Sequence, residues 1–133
     1  HTGAVVARSS SFNRQMDYGD DVLTRINLCL GDRSLVGRLQ EAVVNETIAP
    51  LLDQALAAAA VERDRLACVV AAGNTTMLHL LAGVDPSPMG LHPFTPAFTE
   101  HRTIPLGALG FRWPGSHASA FPADAGPVVH LLP

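Results

Sequence analysis

Nine of the ten prolines fall after Gly83, at positions 86, 88, 93, 96, 105, 114, 122, 127 and 133. Proline fixes φ near about −65°, lacks a backbone N–H and pushes the residue before it towards extended conformations. Residues 84–133 therefore have room only for turns and short strands, with strands expected at 102–105 and 128–132 and a helical turn at 106–109. Residues 1–83 hold Pro50 alone and read differently. Residues 3–12 suit a strand with a Ser-rich end, and 13–18 an irregular loop. A helix over 20–30 follows, with Val22, Leu23, Ile26 and Leu30 on one face and Gly31 as its stop. A long second helix starts near Asp32 or Ser34 and carries Leu35, Leu39, Val43, Ile48, Leu51, Leu52, Ala55 and Leu56 at helical intervals; Pro50 bends or divides it. The charged connection 62–65 then leads to Ala67-Cys68-Val69-Val70-Ala71-Ala72, whose unbroken apolar character suits a strand covered on both faces. A last short helix ends at Gly83. The expected order is strand, two helices, strand, helix, then a Pro-rich extended part. This is an α/β chain of one domain, 1–133, in which 1–83 and 84–133 differ in texture without a linker between them.

Composition narrows the functional classes. A chain of 133 residues buries about two thirds of its unfolded surface, so a core forms without disulfides or metal. With 47% hydrophobic and only 16% charged residues, some apolar surface is expected to face partner segments. A formal charge of −3, no basic patch and few aromatic residues argue against nucleic acid. Lysine is absent and all nine basic residues are Arg, which excludes a P-loop or Schiff-base lysine. Cys29 and Cys68 are too few and too far apart for a disulfide framework or metal site, and are expected as buried thiols of a cytoplasmic protein. An iron–sulfur cluster needs about four thiolates. No apolar run is long enough for a membrane span, and no signal peptide is visible. The histidines lack His-x-x-x-His spacing, so no metal site is expected; His79, one turn beyond Thr75 and Thr76, is read as a packing residue that could point towards their loop. No Gly-x-Ser-x-Gly elbow is present.

Two places carry candidate chemistry. The first is the strand–turn–helix at 67–83, where Gly73, Asn74, Thr75 and Thr76 open a helix whose unpaired N–H groups could hold an anion. Asn or Thr at such a position is also an ordinary N-cap, stabilising by about 0.5–2 kcal/mol with no ligand. The second is Asp21 and Arg25, which could line a site or form a surface i,i+4 ion pair contributing about 0.3–0.5 kcal/mol.

The continuation of the first stretch, Gly73-Asn74-Thr75-Thr76-Met77, His79-Leu80-Leu81, Asp85-Pro86 and Pro93-Phe94-Thr95-Pro96, resembles a signature of the reductive activators of corrinoid proteins. Upstream, Asn13, Gln15, Tyr18-Gly19, Asp21-Val22 and Thr24-Arg25-Ile26 are similar to that family's Asn-Pro-Gln-x-x-Tyr-Gly-x-Asp-Val-x-Ser-Arg-Ile element. Arg14 replaces the proline and Thr24 the serine. The resemblance runs over nearly the whole chain but only part of the family's protein.

The resemblance implies a partial ribonuclease H-like subdomain from an ATP-binding domain of the sugar kinase, heat-shock chaperone and actin superfamily. On this reading the chain is cut from a longer protein, entering mid-strand at His1 and Thr2, with a [2Fe-2S] ferredoxin domain elsewhere. The parent would use ATP and Mg²⁺ to drive electron delivery to a corrinoid protein, and the isolated piece would be inactive. Gly73, Asn74, Thr75 and Thr76 would bind the nucleotide, with Thr75, Thr76 and Asp21 serving catalysis, provided that the Tyr18-Gly19 loop and the 73–76 loop both lie at strand ends of one sheet. The alternative is a non-catalytic interaction or homodimerisation module docking through residues 84–114, with Phe94, Phe98, Phe111 and Trp113 as anchors.

Overall fold

A computed structural model describes residues 2–133, so the expectation placed on His1 lies outside the described residues. The expected N-terminal strand is not formed. Residues 2–13 carry no regular secondary structure and join no ladder, and Val5 and Val6 are 70% and 75% exposed. Strand propensity alone does not hold a strand, because its N–H and C=O groups need a neighbouring chain.

Helix α1, Val22–Gly31, starts where Asp21 caps it, its carboxylate accepting from Thr24 N at 2.8 Å. Ile26 and Cys29 face inward, whereas Leu23, expected on the apolar face, is 67% exposed. The long second helix is one continuous rod in three parts: α2, Leu35–Val43, a π turn at Val44–Ile48, and α3, Ala49–Ala58. The irregularity lies just before Pro50. Ala49 N–H reaches back five residues to Val44 O, widening the helix where the Pro50 ring must fit. Thr47 Oγ1 donates to Ala42 O at 2.8 Å and accepts from Arg14 N at 3.0 Å, so the disturbed turn keeps its partners.

Strands β1, Cys68–Ala72, β2, Arg102–Pro105, and β3, Val128–Leu132, form a mixed sheet in the order β1-β3-β2. β3 pairs in parallel with β1, Cys68 opposite Val128, and antiparallel with β2, Arg102 opposite Leu131. Both Pro-rich-half strands and the helical turn Leu106–Leu109 stand where the sequence puts them. The cover on both faces of β1 does not hold: Val69 and Ala71 are half-buried, but Cys68, Val70 and Ala72 are exposed, as are Val128 and Leu132 beside them. Among the described residues only one side of the sheet carries the buried core.

Helix α4, Thr75–Leu81, links the two cores. Leu78 and Leu81 pack with Val43, Val44, Phe98, Leu106, Leu109, Phe111, Val129 and Leu131, while Leu80 turns to Cys29, Val36 and Leu39. Each such fully buried side chain contributes about 1.5–3 kcal/mol. Phe98 and Phe111 are 2% and 0% exposed and Trp113 is half-buried, so of the four expected docking anchors Phe94 alone stands outside. The Pro-rich half gives Phe98, Leu106, Leu109 and Phe111 to the core, while Leu91 and Phe94 stay exposed. Among the described residues no helix is long and apolar enough to cross a membrane.

Candidate functional site

Asn74 initiates α4. Its backbone is extended at φ −67°, ψ 158°, and its side chain accepts from Met77 N at 2.9 Å, which is the ordinary capping geometry. Gly73 is exposed and its N–H meets Leu132 O at 3.4 Å, extending the β1–β3 ladder by one bond. Thr75 is half-buried, and Thr76 is 8% exposed. The Asn74 oxygen is thus committed to its own helix, while the two threonines are the members of this loop that keep hydroxyls for another group.

His79 does not point into the loop. It is fully buried, stacks on Phe98 with ring centroids 4.2 Å apart, and lies with Nδ1 2.7 Å from Thr75 O. Ala97 N donates to Nε2 at 3.0 Å, which leaves the proton on Nδ1 and makes the ring neutral. Burial, with the Arg102 charge adding to it, holds its pKa below the usual histidine value against the pull of Thr75 O. The packing reading holds, with the added work of tying residues 97–98 to the first turn of α4.

Asp21 is exposed and caps α1 with both oxygens, Oδ1 on Thr24 N and Oδ2 on Thr24 Oγ1 at 3.1 Å. The Thr24 bonds hold its carboxyl below the usual carboxylate range, and Arg25 adds only a minor pull. The expected surface ion pair does not form, because Arg25 turns inward. Arg25 is 5% exposed, with Nε on Gly19 O at 2.9 Å and Nη1 3.4 Å from Gln15 Oε1 and 2.9 Å from Met77 Sδ. The two motif blocks, separate in sequence, therefore meet on one guanidinium.

The meeting differs from the expected one. Tyr18 and Gly19 do not follow a strand; they lie between a 3-10 turn, Arg14–Asp17, and α1, and only the 73–76 loop leaves a strand end. Gly19 is required there, since a Cβ would stand 2.8 Å from Thr24 Cγ2. Gln15, fully buried, is the residue that sequence reasoning passed over: Nε2 donates to Leu39 O at 2.8 Å and Oε1 accepts from Asn13 Nδ2 at 3.3 Å. Its place in the Asn13-to-Ile26 motif was the available signal. Cys29 is buried, its thiol pushed up to about 11 chiefly by burial, whereas Cys68 is exposed against expectation. No group of three or more metal-ligating side chains gathers among the described residues.

A mixed sheet backed by an interrupted helix, with the two motif blocks joined through Arg25 and Met77, defines the class. The chain belongs to the family described as the RACo middle region, whose model matches residues 1–128. Among curated proteins, the corrinoid activation enzyme RamQ of Eubacterium limosum is 30% identical over 93 residues, which is 70% of this chain and 16% of that protein. Among solved structures, a reductive activator for corrinoid, iron-sulfur protein matches with TM-score 0.77 at 30% identity, covering 92% of this chain and 18% of that one. The chain spans less than a fifth of either relative's length.

Proposed function

We propose that this chain is the middle region of an ATP-dependent reductive activator, which passes one electron from an iron–sulfur cluster to the cob(II)amide cofactor of a corrinoid protein. The match to the RACo middle region across residues 1–128 carries the reading, and both relatives are named for corrinoid activation. In finer detail the chain is an incomplete ribonuclease H-like subdomain of the actin-like superfamily, forming part of the floor of a nucleotide cleft. Catalysis belongs to the whole protein, and the chain alone is inactive.

The cluster sits on another domain, because two free cysteines, one of them buried, cannot supply about four thiolates. Bound MgATP supplies the free energy of phosphate hydrolysis, which moves the activator between states of different affinity for the corrinoid protein. Towards it, Thr75 and Thr76 present hydroxyls to a phosphate or an attacking water, and Gly73 lets the backbone approach. Asn74 and Asp21 act first as caps that fix the two loops, and the exposed Asp21 carboxylate keeps lone pairs beside its Thr24 bonds for a water or Mg²⁺.

The test is cob(I) formation by the whole activator, followed by absorbance with and without MgATP, for the wild type and the Thr75→Ala, Asp21→Asn double variant. Wild type is expected to require ATP, and the double variant to lose ATPase activity. An unchanged ATPase rate in the variant removes the loop assignment; no cob(I) from wild type removes the function.

A further inference from the structure

Arg25 is 5% exposed, yet every acceptor it touches is neutral: a carbonyl, a carboxamide and a thioether. The ion pairs among the described residues are made by Arg33, Arg63, Arg102 and Arg112, so Arg25 is a buried cation with no acidic partner. Asp21 stands outside ion-pair distance of Arg25, which is only the smallest influence on its carboxyl, and Gln15 Oε1 is shared with Asn13. Of the guanidinium nitrogens, Nε and Nη1 are used and Nη2 bonds to nothing among the described residues. Ser87 Oγ is the sealed polar side-chain atom without a partner, and Nη2 is not, so Nη2 is the edge of Arg25 that opens outward.

Buried charges are ordinarily paired, and the planar guanidinium fork is matched to oxyanions. We propose that Arg25 holds an oxyanion where the Tyr18–Gly19 turn meets α4, and that this oxyanion is a phosphate of the nucleotide. The inference rests on the nucleotide reading above and sharpens it, moving the charged contact from the 73–76 loop to a residue of the first motif. Nη1 on Met77 ties the cation to the second motif block, so a ligand on Arg25 would stand where the two blocks meet. The same chemistry could come from a carboxylate elsewhere in the whole activator.

The experiment is MgATP titration into the whole protein, with thermal midpoints measured with and without nucleotide, for wild type, Arg25→Gln and Arg25→Lys. Loss of a charge-assisted contact should weaken binding about tenfold or more in Arg25→Gln and less in Arg25→Lys. The nucleotide-free midpoint should hold steady or rise, because an uncompensated charge has been removed. Unchanged affinity with a midpoint that falls in Arg25→Gln and recovers in Arg25→Lys would assign the oxyanion to an internal carboxylate. If wild type binds no MgATP, the nucleotide reading fails and the midpoints alone decide between an internal carboxylate and a neutral tie. Unchanged affinity with midpoints that fall alike in both variants, or do not move, overturns the proposal and leaves Arg25 as a neutral tie.

Discussion

His79 shows how one side chain sets a pH dependence. Its folded value lies below the ordinary 6.5 because burial penalises the charged ring, with the Arg102 charge adding to it, and a second proton would also displace the Ala97 N–H from Nε2. The unfolded chain thus binds the proton first. Stability is fully present above pH 6.5 and is lost as pH falls towards the folded value. The urea midpoint should therefore be lower near about pH 5 than near about pH 7.5. His79→Leu should flatten that difference while costing about 1–3 kcal/mol at the higher pH, from the orphaned Thr75 C=O and Ala97 N–H. At the same scale, the Asn74 cap predicts that Asn74→Ala costs about 0.5–2 kcal/mol and Asn74→Asp much less, as measured by denaturant titration. The roles of Asn74 and His79 were legible in the local sequence, since a cap and a packed residue one turn later follow from helix geometry. The inward turn of Arg25 was not, because nothing local distinguishes a solvated i,i+4 partner from a guanidinium recruited by Gly19 O, Gln15 and, fifty-two residues on, Met77.

The interrupted helix and the Pro-rich half are held by contacts that cross between elements. Asn45, on the π turn, donates to Gly110 O at 3.1 Å and accepts from Arg112 N at 2.7 Å, and Glu41 pairs with Arg112 one turn earlier. Thr47 joins the same turn to residue 14. Thr47→Val keeps the shape and removes the hydroxyl, leaving Ala42 O and Arg14 N without their partner; calorimetric unfolding should show a loss of about 1–3 kcal/mol. The turn Leu106–Leu109 runs so close to the following loop that a Cβ on Gly107 would stand 1.8 Å from Pro122 O. Gly107→Ala should therefore displace the 122–125 loop and cost about 1–3 kcal/mol or more, read as a lowered urea midpoint with broadened resonances from that loop. Pro50 correctly marked the irregular place in the long helix. That the irregularity would be a π turn at Val44–Ile48 depended on Thr47 and Asn45 finding partners outside it.

At the scale of the molecule, the sheet is unevenly dressed. Its inner face meets the core through Val129 and Leu131, while Val70 is 59% exposed and Val128 and Leu132 about two-fifths. Val70→Lys should consequently change stability by no more than about 0.5 kcal/mol in this chain, and light scattering should show less self-association, since a charge on an exposed edge blunts strand pairing. A drop well beyond that would mean that this face is covered. The sequence by itself determined the α/β class, strands β2 and β3, the helical turn between them and the sites of the caps, because proline geometry, helical periodicity and capping act within a few residues. The tertiary structure alone decided that residues 2–13 join no strand ladder, that β1 keeps an open face, that Phe98 and Phe111 are buried and Trp113 half-buried while Phe94 is exposed, and that Arg25 joins the two motifs. Those outcomes turn on which partners arrive from far along the chain, and burial and hydrogen-bond satisfaction are properties of that assembly.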